Sequence, residues 1–202
     1  MVFAFDLDGT VTRREILPVL ANELGLKDEM ALLTRLTLDG TLDFAASFRL
    51  RFAILRSIPV ERVREIVSQI PLDPHISGFI NKRKYNCAIV TGNLDVWVEP
   101  LLRQFDCPAY VSTSRFRDGL LRLDRVLDKG DAVRELKATG KRVIAIGESA
   151  NDLPMFTEAD TGVAFAGVHE PLPEIRRLAA YTARTGQELC EILERISDRA
   201  TG

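Results

Sequence analysis

Residues 2–5, Val2-Phe3-Ala4-Phe5, form an apolar run without polar alternation, and the carboxylates Asp6 and Asp8 follow it directly. Such a run reads as a strand buried on both faces, which confines the chain to folds that cover a sheet with helices on either side. Extended backbone points alternate side chains the same way, so Asp6 and Asp8 share a face wherever strand geometry continues, and Gly9 lets the chain turn away at once. Two anions so placed repel each other, and a bound cation or a proton held on one of them relieves the repulsion. A strand that simply ends in a polar loop accounts for the same letters, so the choice falls to the rest of the chain.

The pattern recurs. Cys87-Ala88-Ile89-Val90 ends in Thr91-Gly92-Asn93, and Val143-Ile144-Ala145-Ile146 ends in Gly147-Glu148-Ser149-Ala150-Asn151-Asp152. Gly162-Val163-Ala164-Phe165 is a further run, and residues 180–183 are a short last one. Helical periodicity fills the spaces between them and an amphipathic tail covers 187–199, so the spacing predicts an α/β protein with a doubly wound, mostly parallel, Rossmann-like sheet. Residues 109–113 and 120–123 flank Arg117-Asp118-Gly119 and read as a hairpin at the sheet margin. The carboxyl ends of the strands in an open parallel sheet share one edge, which gathers Asp6, Asp8, Thr91, Glu148 and Asp152 into one crevice. Lys129 opens a helix predicted to end near Ala138, where the macrodipole disfavours a cation; it needs an anion nearby, and those carboxylates or a bound phosphate supply one. Glu148 and Asp152 are one helical turn apart, which suits Mg2+ with its preference for one or two carboxylates, phosphate and water.

Residues 18–70 interrupt the alternation and read helical throughout, as helices over 18–24, 27–38, 43–57 and 59–70. Gly25 and Asp39-Gly40 serve as stops and Pro59 as a start. This predicts an inserted helical-bundle cap, residues 13–73, on an α/β core of residues 1–12 and 74–202. Thr12-x-x-Glu15 has the spacing of a capping box, but Pro18 suits the first position of a helix starting near Leu17. Glu15 is then left in the loop leaving the first strand, as a candidate functional carboxylate. Within 43–57, Phe44, Phe48, Phe52 and Leu55 form one stripe with Arg51 inside it, whereas Arg49 falls off the stripe and is expected in solvent. Arg51 cannot shed its charge, so it either reaches water or meets an anion beneath the bundle.

The formal net charge of −2 offers no global attraction for nucleic acid or an acidic membrane. No apolar run approaches the roughly 20 residues that cross a bilayer, and the chain opens on a core strand with no cleavable leader, so a cytoplasmic protein is expected. Cys87, Cys107 and Cys190 are too scattered to suggest a disulfide framework or a zinc site. His75 and His169 lie near prolines with no nucleophile motif to serve, which argues against a histidine-based triad.

Taken in order, Asp6-Leu7-Asp8-Gly9-Thr10, Thr91-Gly92, Lys129 and residues 148–152 resemble the four motifs of the haloacid dehalogenase-like hydrolase superfamily. The resemblance implies that Asp6 attacks phosphorus and Asp8 works as general acid and base. It also implies that Thr91 and Lys129 hold the phosphoryl oxygens, and that Asp6, Asp8, Glu148 and Asp152 hold Mg2+. With its insert after the first motif, Glu15, Asp43-Phe44, Arg49-x-Arg51 and Asn151-Asp152-Leu153-Pro154-Met155-Phe156, the chain is similar to the phosphoserine phosphatases. That similarity implies Mg2+-dependent hydrolysis of a small phosphorylated metabolite, phosphoserine, through an aspartyl-phosphate. Glu15 and Arg51 would face the amino acid part of the substrate, and Thr91, Gly92, Asn93, Lys129 and Asn151 would line it. Two positions differ from the family's usual reading: Glu148 stands in place of aspartate, and Thr91-Gly92-Asn93 in place of Ser-Gly-Gly. A phosphatase for another metabolite, a phosphotransferase and a non-catalytic module that binds phosphometabolites are the alternatives.

Overall fold

The computed structural model describes residues 1–38 and 40–201, and Asp39, expected in a helix stop of the insert, lies outside the described residues. Seven strands form one sheet: β1 (Val2–Phe5), β2 (Cys87–Leu94), β3 (Ala109–Arg117), β4 (Leu120–Arg125), β5 (Val143–Gly147), β6 (Thr161–Phe165) and β7 (Tyr181–Ala183). Their order is β4-β3-β2-β1-β5-β6-β7, and every pairing is parallel except that of β3 with β4. The central strand β1 pairs on both sides, Phe3 standing opposite Cys87 and Ile144. Its neighbours diverge to opposite halves of the sheet, which opens a crevice at the carboxyl end of β1. The β3–β4 turn places Asp118 and Gly119 at φ of 53° and 73°, the left-handed pair that a tight hairpin of this twist demands.

Alternation along the strands sorts the apolar side chains into two cores. Phe3, Phe5, Ile89, Ile144 and Ile146 pack on one face, and Val2, Ala4, Val90, Val143 and Ala145 on the other. Helices cover both faces, as the doubly wound arrangement requires. The insert contributes α1 (Ile16–Glu23), α2 (Lys27–Leu38), α3 (Phe44–Leu55) and α4 (Val60–Ser68). The rest of the chain adds α5 (Pro74–Lys82), α6 (Asp95–Leu102), α7 (Lys129–Ala138), α8 (Leu153–Glu158), α9 (Pro173–Leu178) and α10 (Gly186–Thr201). Phe48, Phe52 and Leu55 of α3 join the first core, where the Phe52 ring stacks on Trp97 of α6 at 5.9 Å. Arg49 is exposed, as its place off the stripe predicts. Among the described residues, no helix is long and apolar enough to cross a membrane.

Local chemistry explains where the elements begin. Asp43 and Asp73 cap α3 and α5 through their side chains, and Pro74 takes the first position of α5, where its missing N–H costs nothing. The helix α1 starts at Ile16 with Glu15 as its cap residue, and the Glu15 side chain makes no capping bond. Thr12 is not a cap either. The chain beyond β1 makes a wide turn over Leu7–Val11 that is closed by the Thr12 N–H on the Leu7 carbonyl at 2.9 Å. The buried Thr12 hydroxyl lies 3.0 Å from the Leu7 carbonyl and 2.9 Å from that of Arg14, and it accepts the Gly9 N–H at 3.2 Å.

The segments that leave and re-enter the sheet edge run side by side. Thr12 bridges Leu72 in antiparallel fashion, the Arg13 N–H meets the Pro71 carbonyl at 2.8 Å, and the Asp73 N–H meets that of Val11 at 2.9 Å. Arg13 also pairs with the Asp73 carboxylate at 3.3 Å. Thr12→Val keeps the shape of the side chain but leaves this buried turn without its hydroxyl. It is expected to lower stability by about 1–3 kcal/mol in chemical denaturation, whereas an unchanged midpoint would show that the hydroxyl is dispensable to the turn.

Candidate active site

Strand geometry stops at Phe5. Asp6 still donates its N–H to the Ile146 carbonyl at 2.9 Å, so its side chain leaves the carboxyl edge of the sheet between β1 and β5 and is buried there. Beyond Phe5 the turn replaces strand geometry, so alternation along a strand does not set the directions of Asp6 and Asp8. Asp6 meets the ammonium of Lys129, whereas Asp8 accepts the Ile16 N–H at 3.0 Å and the Asn93 amide at 2.6 Å. Gly9 makes this possible twice over. Its φ is 73°, and a Cβ there would lie 2.7 Å from Glu148 Oε1.

Asp6, Glu148 and Asp152 each offer an oxygen within 4.8 Å of the others, and all three are buried. Lys129, at the start of α7, is only 2% exposed and reaches both Asp6 and, at 2.5 Å, Asp152. Burial disfavours the charge of Lys129, but the carboxylates of Asp152 and Asp6 outweigh it and hold the ammonium pKa above its usual value. The Asp6 pKa stands well above the ordinary carboxylate range, first because of burial and then because of the Asp152 charge, with Lys129 opposing. Burial likewise raises Glu148, reinforced by Asp6 and Asp152, and its Oε2 accepts the Thr10 hydroxyl at 2.8 Å. Three carboxylates against one ammonium leave an excess of negative charge on oxygen donors. That donor set fits a hard divalent cation such as Mg2+.

Asp152 also organises its own loop. Its Oδ2 accepts the N–H groups of Glu148 at 3.0 Å and Ser149 at 2.8 Å, together with the Ser149 hydroxyl. A Cβ on Gly147 would lie 2.6 Å from that oxygen, so the loop can wrap the carboxylate only with glycine there. Ser149 holds Asn151 at 2.5 Å, which turns the Asn151 amide toward Gly92.

On the other side of the crevice, β2 runs on through residues 91–94, and Thr91 and Asn93 are buried. The Thr91 hydroxyl accepts the Asn93 N–H at 3.1 Å. Phe44 of α3 closes over Gly92 so tightly that a Cβ would lie 2.5 Å from its ring. Asp8, held at both oxygens, has its pKa pushed up to about 7, by burial first and then by the charge of Glu15, with the Asn93 and Ile16 donors opposing. Arg51 donates to Thr34 at 2.9 Å and Ser47 at 3.3 Å; burial lowers its pKa, while the charges of Glu15 and Asp8 act the other way. Glu15 in turn lies 3.3 Å from His169 Nε2, and this contact raises the histidine pKa.

The structure thus gathers Asp6, Lys129, Glu148 and Asp152 into one buried group, with Asp8, Thr91, Gly92, Asn93 and Asn151 beside it and Glu15 and Arg51 toward the insert. The Asp8 carboxylate is outside the group that could share a cation through side-chain oxygens among the described residues. Sequence reasoning gave no role of its own to Thr10, whose hydroxyl holds Glu148, and did not expect Phe44, read in an apolar stripe and in the likeness to phosphoserine phosphatases, to close over Gly92. It set aside His169 for want of a nucleophile motif, and no sequence signal links that residue to Glu15.

A model of the haloacid dehalogenase-like hydrolase family matches residues 3–157. The chain belongs to that family. Among haloacid dehalogenase-like relatives, the chain is 29% identical to the phosphoserine phosphatase of Methanocaldococcus jannaschii over 175 residues, covering 80% of this chain and 83% of that protein. It is 28% identical to the phosphoserine phosphatase SerB2 of Mycobacterium tuberculosis over 178 residues, covering 81% of this chain but 44% of that longer protein. A substrate-bound phosphoserine phosphatase structure superposes with a TM-score of 0.80 at 24% identity, covering 96% of this chain and 97% of that one, which speaks to the fold.

Carboxylates whose folded pKa values exceed those of the unfolded chain favour the fold while protonated and cost stability as pH rises through the folded values. For Asp8 that value is about 7. With a chelator present, the Asp8 contribution is expected to lower the unfolding temperature as pH rises from about 4 to about 7 and to level off above, where millimolar Mg2+ should restore several degrees. A flat profile that Mg2+ leaves unmoved would remove this cluster as a cation site.

Proposed function

We propose that this protein is a Mg2+-dependent phosphomonoester hydrolase that works through an aspartyl-phosphate on Asp6 and acts in the cytoplasm on phosphoserine. The observation that carries the reading is the buried contact of Asp6 with Lys129, flanked by Glu148 and Asp152 at the carboxyl edge of the sheet. Membership of the hydrolase family and the likeness to phosphoserine phosphatases support it.

In this reading, Asp6 attacks phosphorus as the ester oxygen leaves, and Asp8 gives that oxygen a proton. Asp8 then takes a proton from the water that attacks the phosphoryl group on Asp6, so inorganic phosphate leaves and Asp6 is restored. Lys129 keeps Asp6 in place and, with the Thr91 hydroxyl, holds the phosphoryl oxygens. Asp6, Glu148 and Asp152, with Asp8 beside them, would hold Mg2+, which when bound would offset the charge between nucleophile and phosphate. The helices of residues 13–73 serve as a cap over the core of residues 1–12 and 74–202 and exclude water. Glu15 and Arg51 meet the amino acid part of the substrate, and Gly92, Asn93 and Asn151 line its path.

A second reading, hydrolysis of a different small phosphomonoester, has its own support. Glu15 is already engaged by His169, and Arg51 by Thr34 and Ser47. A panel of phosphorylated metabolites that includes phosphoserine, with release of inorganic phosphate as the readout, separates the two. Product other than free phosphate would mark a phosphotransferase, and binding without turnover would mark a non-catalytic module. Asp6→Asn is expected to abolish turnover with the fold intact, and retained activity above about one per cent would remove Asp6 as nucleophile.

Arg51 tests the substrate. Its guanidinium binding a substrate carboxylate is worth about 1.5–3 kcal/mol, so Arg51→Ala should cut kcat/KM on phosphoserine roughly tenfold or more. An aryl phosphate, which has no carboxylate, should be hydrolysed nearly as before. Equal losses on both would assign Arg51 to the packing of the helices or to the phosphate.

A further inference from the structure

Asn93 makes a contact that neither substrate lining nor packing explains. It lies in the part of β2 where the register with β3 shifts between Val90 and Leu94, and its side chain is 4% exposed. Its Nδ2 donates to Asp8 Oδ2 at 2.6 Å and lies 3.3 Å from the Thr91 hydroxyl. Its Oδ1 has no partner and belongs to the few buried side-chain polar atoms so placed among the described residues. A buried amide that serves structure satisfies both of its ends. Here only the donor end is used, and it is used on a carboxylate. Turning the amide round would set Oδ1 against Asp8 Oδ2, acceptor against acceptor, so Asp8 fixes the orientation of Asn93 and Asn93 that of Asp8.

We propose that Asn93 is a positioning residue for proton transfer, holding the Asp8 carboxyl group aimed at the oxygen that leaves phosphorus. The inference rests on the reading that Asp8 moves the proton. Asp8 is held from two sides, by the Ile16 N–H on Oδ1 and by the Asn93 amide on Oδ2. Each oxygen keeps a lone pair, so the group can carry a proton without giving up either bond. When the ester P–O bond breaks, the proton passes from Asp8 to the leaving oxygen; when water attacks the phosphoryl group, its proton passes to Asp8. Without Asn93 the carboxylate is held at one oxygen and turns about its own side-chain bonds. Proton transfer suffers from such misaim more than binding does. In the first step the loss falls on esters whose leaving oxygen must be protonated, such as the alkyl ester phosphoserine, more than on an aryl ester whose phenolate leaves unaided; the water step is common to both, so kcat/KM, which reads the first step, separates them.

The test compares Asn93→Ala and Asn93→Gly with the unaltered chain on phosphoserine and on 4-nitrophenyl phosphate. On phosphoserine kcat should fall about tenfold or more, with the smaller part of the effect in KM, and kcat/KM should fall at least about fivefold further on phosphoserine than on the aryl ester. Adding Asn93→Ala to Asp8→Asn should cost phosphoserine turnover nothing further, because the two residues act as one unit. Equal losses in kcat/KM on both esters, no loss on either, or losses that multiply in the double variant would overturn the inference. So would a crystal structure of Asn93→Ala, or of Asn93→Gly should the first variant fail to fold, with the Asp8 carboxylate in its original orientation. An unaltered chain inactive on both esters would remove the functional reading itself, and that crystal comparison would then decide whether Asn93 orients Asp8.

Discussion

A single ammonium buried against two carboxylates holds the centre of this molecule in register. Asp6 comes from the end of β1, Asp152 from the turn after β5, and Lys129 from the first turn of α7. Slipping β1 by one residue against β5 would turn Asp6 to the other face and leave Lys129 buried beside one anion. Removing one partner of a buried ion pair costs far more than the pair contributes, so this contact penalises misalignment of three elements at once. The same contact leaves the centre overcharged, because Glu148 adds a third carboxylate whose partner among the described residues is the neutral Thr10 hydroxyl.

Asp152 and Glu148 divide the work of the loop between β5 and α8. Asp152 spends one oxygen on the backbone of its own loop and the other on Lys129, which fixes the loop to the core. Glu148, freed from that task, reaches across the crevice to Thr10 and passes over Gly9. The longer side chain is accommodated by the absence of a Cβ at Gly9. The glutamate at this position is therefore accommodated by a glycine in the turn after β1.

Much of this was legible in the chain. The apolar runs of β1, β2, β5 and β6, each followed by polar groups, specify a parallel sheet with one reactive edge, and Lys129 betrayed its partners by sitting where a helix repels it. The turn at Gly9 was legible, but its form was not, because that depends on the Thr12 hydroxyl closing back on Leu7 as well as on Gly9 at positive φ. The continuation of β2 past Thr91-Gly92-Asn93 goes with pairing to β3 that shifts register after Val90 and resumes at Leu94 opposite Ser112, a contact that outvotes the turn propensity of Gly and Asn. The approach of His169 to Glu15 joins residues far apart in sequence, and pattern alone carries no such information.

The paired segments at residues 11–13 and 71–73 have a mechanical consequence. A single strand linking two bodies swivels about any axis, but two strands bonded side by side form a ribbon, stiff against twist and compliant only across its flat face. α1 begins just beyond this ribbon, and its first amide, that of Ile16, meets Asp8 Oδ1 at 3.0 Å, so the register of the ribbon fixes one of the two donors on that carboxylate.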